Sequence, residues 1–190
     1  MHFEEDAIYH IFNRSNSKVF ENRGNYLFFL KKVNDLIYPV CDLLAWCLMP
    51  NHFHFLIQSS KNSFHYTNEK HRPALQVLSK NMGTLISSYT QAFNKQQGRR
   101  GSLFSHNTKA KILNDNTPIS GIEVIKAINN DYAIQCFNYI HKNPVQSGLV
   151  NRPEDWEFSS YPDFLGLRNG KLVNRELALR ILMIEKKDIR

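Results

Sequence analysis

Hydrophobic positions along the chain recur with two periods, and the switches between them mark out the elements. Residues 7–13, Ala-Ile-Tyr-His-Ile-Phe-Asn, are a short apolar run of β type and predict a buried strand. Tyr26, Leu30, Val33 and Ile37 recur at three- and four-residue spacing, which predicts a helix over Asn22–Ile37 closed by Tyr38-Pro39. Cys41–Met49 reads as a second apolar strand, Pro50-Asn51 as a turn, and the residues after it as a third strand. The last two strands should form an antiparallel hairpin. Residues 59–73 are polar and mixed and read as a loop. Leu75, Leu78, Met82, Leu85, Ile86, Tyr89 and Phe93 form the stripe of a helix over Leu75–Phe93. Asn94–Gly101 is a basic, glycine-bearing loop, and Leu103–Leu113 holds a further strand with Lys109 and Lys111 on one face. Asn114–Ser120 is a turn-rich break. Residues 123–143 carry helical sequence interrupted by Asn129-Asn130-Asp131, with Ala133, Cys136, Phe137 and Ile140 as the stripe of the last piece. Pro144 disfavours the helical conformation at Asn143, so the helix is expected to end there. Residues 174–186 predict a final amphipathic helix.

The order is strand, helix, strand, strand, helix, strand, helix. It predicts an α+β fold, a ferredoxin-like βαββαβ antiparallel sheet with helices on one face and a C-terminal helix besides. Residues 1–165 are expected to form one domain, and 166–190 a part-helical C-terminal extension.

The third strand carries the chain's most informative pattern, Pro50-Asn51-His52-Phe53-His54-Phe55-Leu56-Ile57-Gln58. Alternate side chains on a strand share a face, so His52 and His54 project together while Phe53, Phe55 and Ile57 point into a core. Two adjacent imidazoles on an open face are half of a divalent-metal site. An edge strand whose exposed face happens to carry histidine has the same spacing.

A third ligand would have to come from elsewhere. On the last long helix, Tyr132, Gln135, Tyr139 and Asn143 fall on one flank of the apolar stripe, with Tyr139 and Asn143 four apart. If that helix lies on the histidine face, the amide oxygen of Asn143 reaches the cation and the phenol of Tyr139 stands one turn away. A neutral phenol is a poor nucleophile unless phenolate is stabilised. A divalent ion on a phosphate oxygen polarises phosphorus and neutralises developing charge. In-line attack by the phenol on a phosphodiester would leave a phosphotyrosine and a free 3′-hydroxyl, and rejoining would need no ATP. Tyr139 packing at the edge of a core stripe is the plainer alternative. Tyr89 lies inside its own helix's apolar stripe and Tyr132 sits almost two turns from Asn143, so both are weaker candidates. His10, His106 and His141 have no neighbour at ligand spacing in the sequence.

Composition narrows the partner. At 190 residues, 42% hydrophobic and 12% aromatic, the chain is long enough to bury a core. A net charge of +7 and a pI near 9.3 favour an anionic partner, nucleic acid first. Lys95, Arg99 and Arg100 share the loop whose glycines let a backbone approach closely, and Lys109, Lys111 and Lys142 add to the basic inventory. No apolar run nears the roughly 20 residues of a membrane span, and the acidic start Met1–Asp6 lacks the apolar segment of a secretory signal. Cys41, Cys47 and Cys136 lie in apolar segments without a CxxC pair, which fits a reducing cytoplasm.

Two segments together carry a family resemblance. Trp46–Ile57 resembles the His-hydrophobic-His motif of the single-tyrosine HUH transposases, and Tyr139–Val150 resembles their catalytic-tyrosine helix, in the form nearest the REP-associated tyrosine transposases. Phe12-Asn13-Arg14, Phe93-Asn94-Lys95 and Trp156–Tyr161 are further echoes, so the resemblance runs over residues 8–162. It implies a ferredoxin-like catalytic domain, usually a homodimer, that cuts and rejoins single-stranded DNA, often hairpin-bearing, with Mg²⁺ or Mn²⁺. His52, His54 and Asn143 would be metal ligands, Tyr139 the nucleophile, and Arg14, Lys95, Arg99, Arg100, Lys109, Lys111 and Lys142 DNA contacts. The chain departs from the family at Thr108, where a basic residue is usual, and in the length of the 59–73 loop. Two other readings stand beside the transposase. One is a non-catalytic single-strand binding module working by stacking and charge, and the other is a metal hydrolase in which water attacks.

Overall fold

The computed structural model describes residues 1–67, 74–113, 123–185 and 189, with 123–131 as backbone. Four strands form the sheet: β1 (Ile8–Arg14), β2 (Cys41–Met49), β3 (His52–Ser59) and β4 (Lys109–Ile112). Their spatial order is β2-β3-β1-β4 and every pairing is antiparallel. With α1 (Arg23–Leu36) between β1 and β2, and α3 (Val77–Gln96) before β4, this is the ferredoxin-like α+β arrangement that the sequence predicts.

The sheet is packed on both faces. Tyr9 and Ile11 of β1 and Phe53, Phe55 and Ile57 of β3 point to one side, into a core with Phe29 and Val33 of α1 and Met82, Leu85 and Tyr89 of α3. Those residues of β3 are wholly buried, as period-two alternation requires. The opposite face carries a second core, in which Leu44, Cys47, Met49 and Leu56 meet Ala133, Cys136, Phe137 and Ile140 of α4 (Glu123–Gln146) and Ala178 and Leu182 of α6 (Arg175–Leu182). The late helix therefore covers part of the histidine face.

Boundaries differ from the sequence reading where tertiary contacts override local pattern. A four-residue helix, α2 (Lys61–Phe64), stands in the expected loop after β3; residues 68–73 of that loop lie outside the described residues, as does the 114–120 break. Helix α3 begins at Val77, and Leu75 sits before it, 49% exposed and off the stripe. The strand expected within Leu103–Leu113 occupies its last part, the four residues Lys109–Ile112. Leu103 and Phe104 are drawn into the main core, Phe104 lying against Phe53 at 5.7 Å between ring centroids, so the chain cannot pair there. Helix α4 is continuous through 129–131 and passes Pro144 to end at Gln146. Pro144 removes one N–H from the ladder. The last turn is closed instead by Ser147 N–H to Asn143 O and Leu149 N–H to Pro144 O, both 2.9 Å, with Gly148 at φ 67° ending it. The final helix spans 175–182, capped by the Asn174 side chain and stopped at Met183, φ 52°.

The segment after α4 returns to the sheet edge. A 3₁₀ turn (Pro153–Asp155) and α5 (Tyr161–Phe164) flank residues 156–160, which run beside β2: Leu48 N–H donates to Phe158 O, Ser160 N–H to Trp46 O and Trp156 Nε1–H to Leu48 O. His141 of α4 pairs with Ser160 Oγ at 2.8 Å. That buried bond ties the helix to the sheet edge two residues from Tyr139 and from Asn143. Further on, Asn174 N–H donates to Leu43 O, so the C-terminal segment also packs on β2. Cys41, Cys47 and Cys136 are buried and free.

Candidate functional site

Register places the site. In β1, Phe12 lies opposite His54 and Arg14 opposite His52; in β4, Lys109 lies opposite Phe12 and Lys111 opposite His10. Period-two alternation then puts His10, Phe12 and Arg14, His52 and His54, and Lys109 and Lys111 on one face of the sheet. Helix α4 crosses that face and brings Tyr139 and Asn143 to the histidines.

Distances show how closely they meet. The Asn143 amide nitrogen lies 3.2 Å from His54 Nε2, and its oxygen accepts from Ser147 Oγ at 3.3 Å. The ring of Tyr139 stands edge-on to His54 with centroids 5.4 Å apart, and is 44% exposed. His52 and His54 are 4.9 Å apart between centroids. Asn143 and His54 are buried, whereas Tyr139 opens to solvent, which is the distribution a reactive phenol beside a fixed ligand pair requires.

The site also holds His10, which the sequence reading left without a neighbour. Its Nε2 lies 2.9 Å from His54 Nδ1, and the two rings are stacked 5.0 Å apart. The two residues are 44 positions apart in the chain, so no spacing rule links them. The signal was a polar residue at the centre of an apolar strand. The other ring is pinned in the same way: His52 Nδ1 lies 2.6 Å from Asn51 Oδ1, a carbonyl oxygen that can only accept. His52 therefore carries its proton on Nδ1 and leaves Nε2 bare.

All three imidazoles are neutral at pH 7. Burial, ahead of the Lys111 charge, pushes His10 down to about 4, and burial, ahead of Arg14, pushes His52 down to about 4. His54 is held well below its ordinary range by burial first and by His10 and His52 next. Neutral imidazole is the form that ligates metal. Among the described residues no group of three His, Cys, Asp or Glu side chains stands at metal-ligand spacing. A cation here would be held by two imidazoles and the Asn143 amide, turned so that its oxygen faces the rings. The donor set of nitrogen and neutral oxygen fits Mn²⁺ and, with waters completing the shell, Mg²⁺.

The basic residues divide. Arg14 and Lys109 are exposed at the histidine face. Lys111 is exposed too, but its Nζ bonds Tyr132 Oη at 2.5 Å and lies 4.5 Å over that ring, tying β4 to α4. Lys142 is exposed on α4. Helix α3 runs three residues past the expected end at Phe93, so Lys95 stands in its last turn rather than in a loop, and Arg99 and Arg100 follow in the α3–β4 connection, where Gly98 and Gly101 take φ 58° and 92° and Asn94 Nδ2 donates to Gly101 O. The chain then returns to the site edge, where Ser105 N–H donates to Arg14 O. Thr108, where a cation was expected, accepts from Asn13 Nδ2 at 2.9 Å; with Asn13 also donating to Ser105 O, it fixes the segment leading into β4. Tyr89 is buried with its hydroxyl on Val19 O, and His141 packs between α4 and the Ser160 segment, away from the face. His106 is exposed.

No protein-family model matches the sequence, and the search of curated proteins returns no match. Among solved structures, the chain is similar to a REP-associated tyrosine transposase bound to a REP hairpin, at 14% identity and a TM-score of 0.54, over 87% of this chain and 83% of that one. At that identity the likeness is one of architecture: the chain has the fold of a tyrosine transposase.

Proposed function

We propose that this chain is a divalent-metal-dependent DNA strand transferase, acting on hairpin-bearing single-stranded DNA through a covalent bond to Tyr139. The observation that carries it is the meeting of His52, His54 and Asn143 with an exposed tyrosine on one cationic sheet face. Bound at the two imidazoles and the amide, Mg²⁺ or Mn²⁺ would polarise the scissile phosphate. The chain's own residues do the rest. Arg14, Lys109 and Lys142, with Lys95 at the end of α3 and Arg99 and Arg100 in the connection after it, hold the phosphate backbone. Helix α4, fastened at Ser160 and packed on β2, keeps the Tyr139 ring beside His54. The phenol oxygen forms a bond to phosphorus as the P–O3′ bond breaks; the phenol proton is lost and the departing 3′-oxygen gains one. The products are a 5′-phosphotyrosine and a 3′-hydroxyl, and reversal on another 3′-hydroxyl rejoins the strand. A homodimer is part of the proposal and is read by light scattering.

The test is to mix the protein with hairpin-bearing single-stranded DNA and Mn²⁺. A covalent adduct is expected on a denaturing gel, lost in Tyr139→Phe and kept in Tyr89→Phe. Salt-sensitive binding that persists in chelator, with no adduct, would instead mark a binding module. Cleavage that survives Tyr139→Phe would mark hydrolysis by water.

A further inference from the structure

The hydrogen bonds around His54 run in one direction. Ser147 Oγ donates to Asn143 Oδ1, which leaves the amide N–H to face His54 Nε2. An N–H donor requires a bare Nε2, so the His54 proton sits on Nδ1. The group that faces Nδ1 is His10 Nε2, at 2.9 Å, and it must therefore accept. We propose that His10 is a positioning residue: by accepting the Nδ1–H of His54 it holds that ring with Nε2 bare and aimed at Asn143, where a divalent cation would bind. This rests on the metal reading above and assigns it an outer partner.

Two features support the assignment. His10 sits on the neighbouring strand, its ring stacked on that of His54, so the bond is built on two rigid elements rather than a loop. Its position repeats what Asn51 does for His52, where a carbonyl oxygen 2.6 Å from Nδ1 leaves Nε2 free. Both candidate ligand rings thus have their inner nitrogen occupied and their outer one available. Metal-ligating imidazoles are characteristically oriented by such a partner, and losing it costs about 10–100-fold in metal affinity. The opposite polarity, with His10 donating to His54 Nδ1, would put the His54 proton on Nε2. The ring could not then ligate from that nitrogen without a tautomer change.

The experiment has two readouts. In long-range ¹H–¹⁵N spectra of the metal-free protein at pH 7, His54 should show a protonated Nδ1 and a bare Nε2 in the wild type. His54 protonated at Nε2 there would overturn the inference, whatever the protein does with metal. Mn²⁺ titration followed by the free-ion paramagnetic signal should then give a dissociation constant about 10–100-fold weaker in His10→Ala. His10→Gln, whose amide oxygen can accept the same proton, should recover most of that loss, and this rescue separates positioning from loss of fold. His10→Ala binding Mn²⁺ as the wild type does would overturn the inference and leave the metal reading standing. Absence of Mn²⁺ binding by the wild type would overturn both.

Discussion

Asn143 is the residue on which the candidate site turns. It is buried, its amide nitrogen touches His54 and its oxygen is held by Ser147. If its oxygen completes the cation's shell, Asn143→Asp should bind Mn²⁺ at least as tightly as the wild type. Asn143→Leu, close in volume but without a donor, should lose at least the roughly 10–100-fold that an outer-shell partner is worth. Equal Mn²⁺ affinity in all three proteins by calorimetry would remove Asn143 from the ligand set. At this scale four of the five residues that meet at the candidate site were legible in the sequence. His52 and His54 were legible because two residues on one strand share a face by geometry alone, and Tyr139 and Asn143 because four residues make a helical turn. His10 was not legible, because its contact depends on the register between β1 and β3. Thr108 was visible as a departure, but its bond to Asn13 depends on where the chain wraps the end of β1.

At the scale of elements, α4 delivers the tyrosine and the amide, and its end is set by glycine rather than by the proline that looked like a stop. Gly148 takes φ 67° with open space around it, so a side chain there meets no neighbour and the cost is conformational. Gly148→Ala should lower the unfolding free energy by about 1–2 kcal/mol in urea titrations, with Gly148→Asn milder. No change would mean that the left-handed cap does not hold the turn. The long elements were legible because their apolar stripes are cut by strong breakers: α1 by Asn22 and Tyr38-Pro39, and the β2–β3 hairpin by Pro50-Asn51. The bounds of strand β4 within Leu103–Leu113 were not legible, because Leu103 and Phe104 are as apolar in a core-filling loop as in a strand. Local pattern does not distinguish those two uses.

Across the whole molecule, several histidines are buried in the neutral form, and this gives stability a direction with pH. His141 is fully enclosed, and burial pushes it down to about 3. The unfolded chain binds that proton near pH 6.5 and the fold does not, so stability is complete above about 6.5 and falls as pH drops toward 3. The slope for this one group is on the order of 1.4 kcal/mol per pH unit. His10 and His52, pushed down to about 4, act in the same direction to a smaller degree because both are partly exposed. Melting temperature should therefore fall between pH 7 and pH 5, and fall less in His141→Asn; a flat profile would contradict the neutral, buried state of these rings. The claim to which these parts lead is chemical, that Tyr139 itself becomes bonded to DNA. Peptide mapping by mass spectrometry of the protein after reaction with hairpin-bearing single-stranded DNA and Mn²⁺ reads it most directly. The account predicts a nucleotide remnant on the peptide containing Tyr139, and a remnant on the peptides of Tyr89 or Tyr132 instead, or on none, would contradict it.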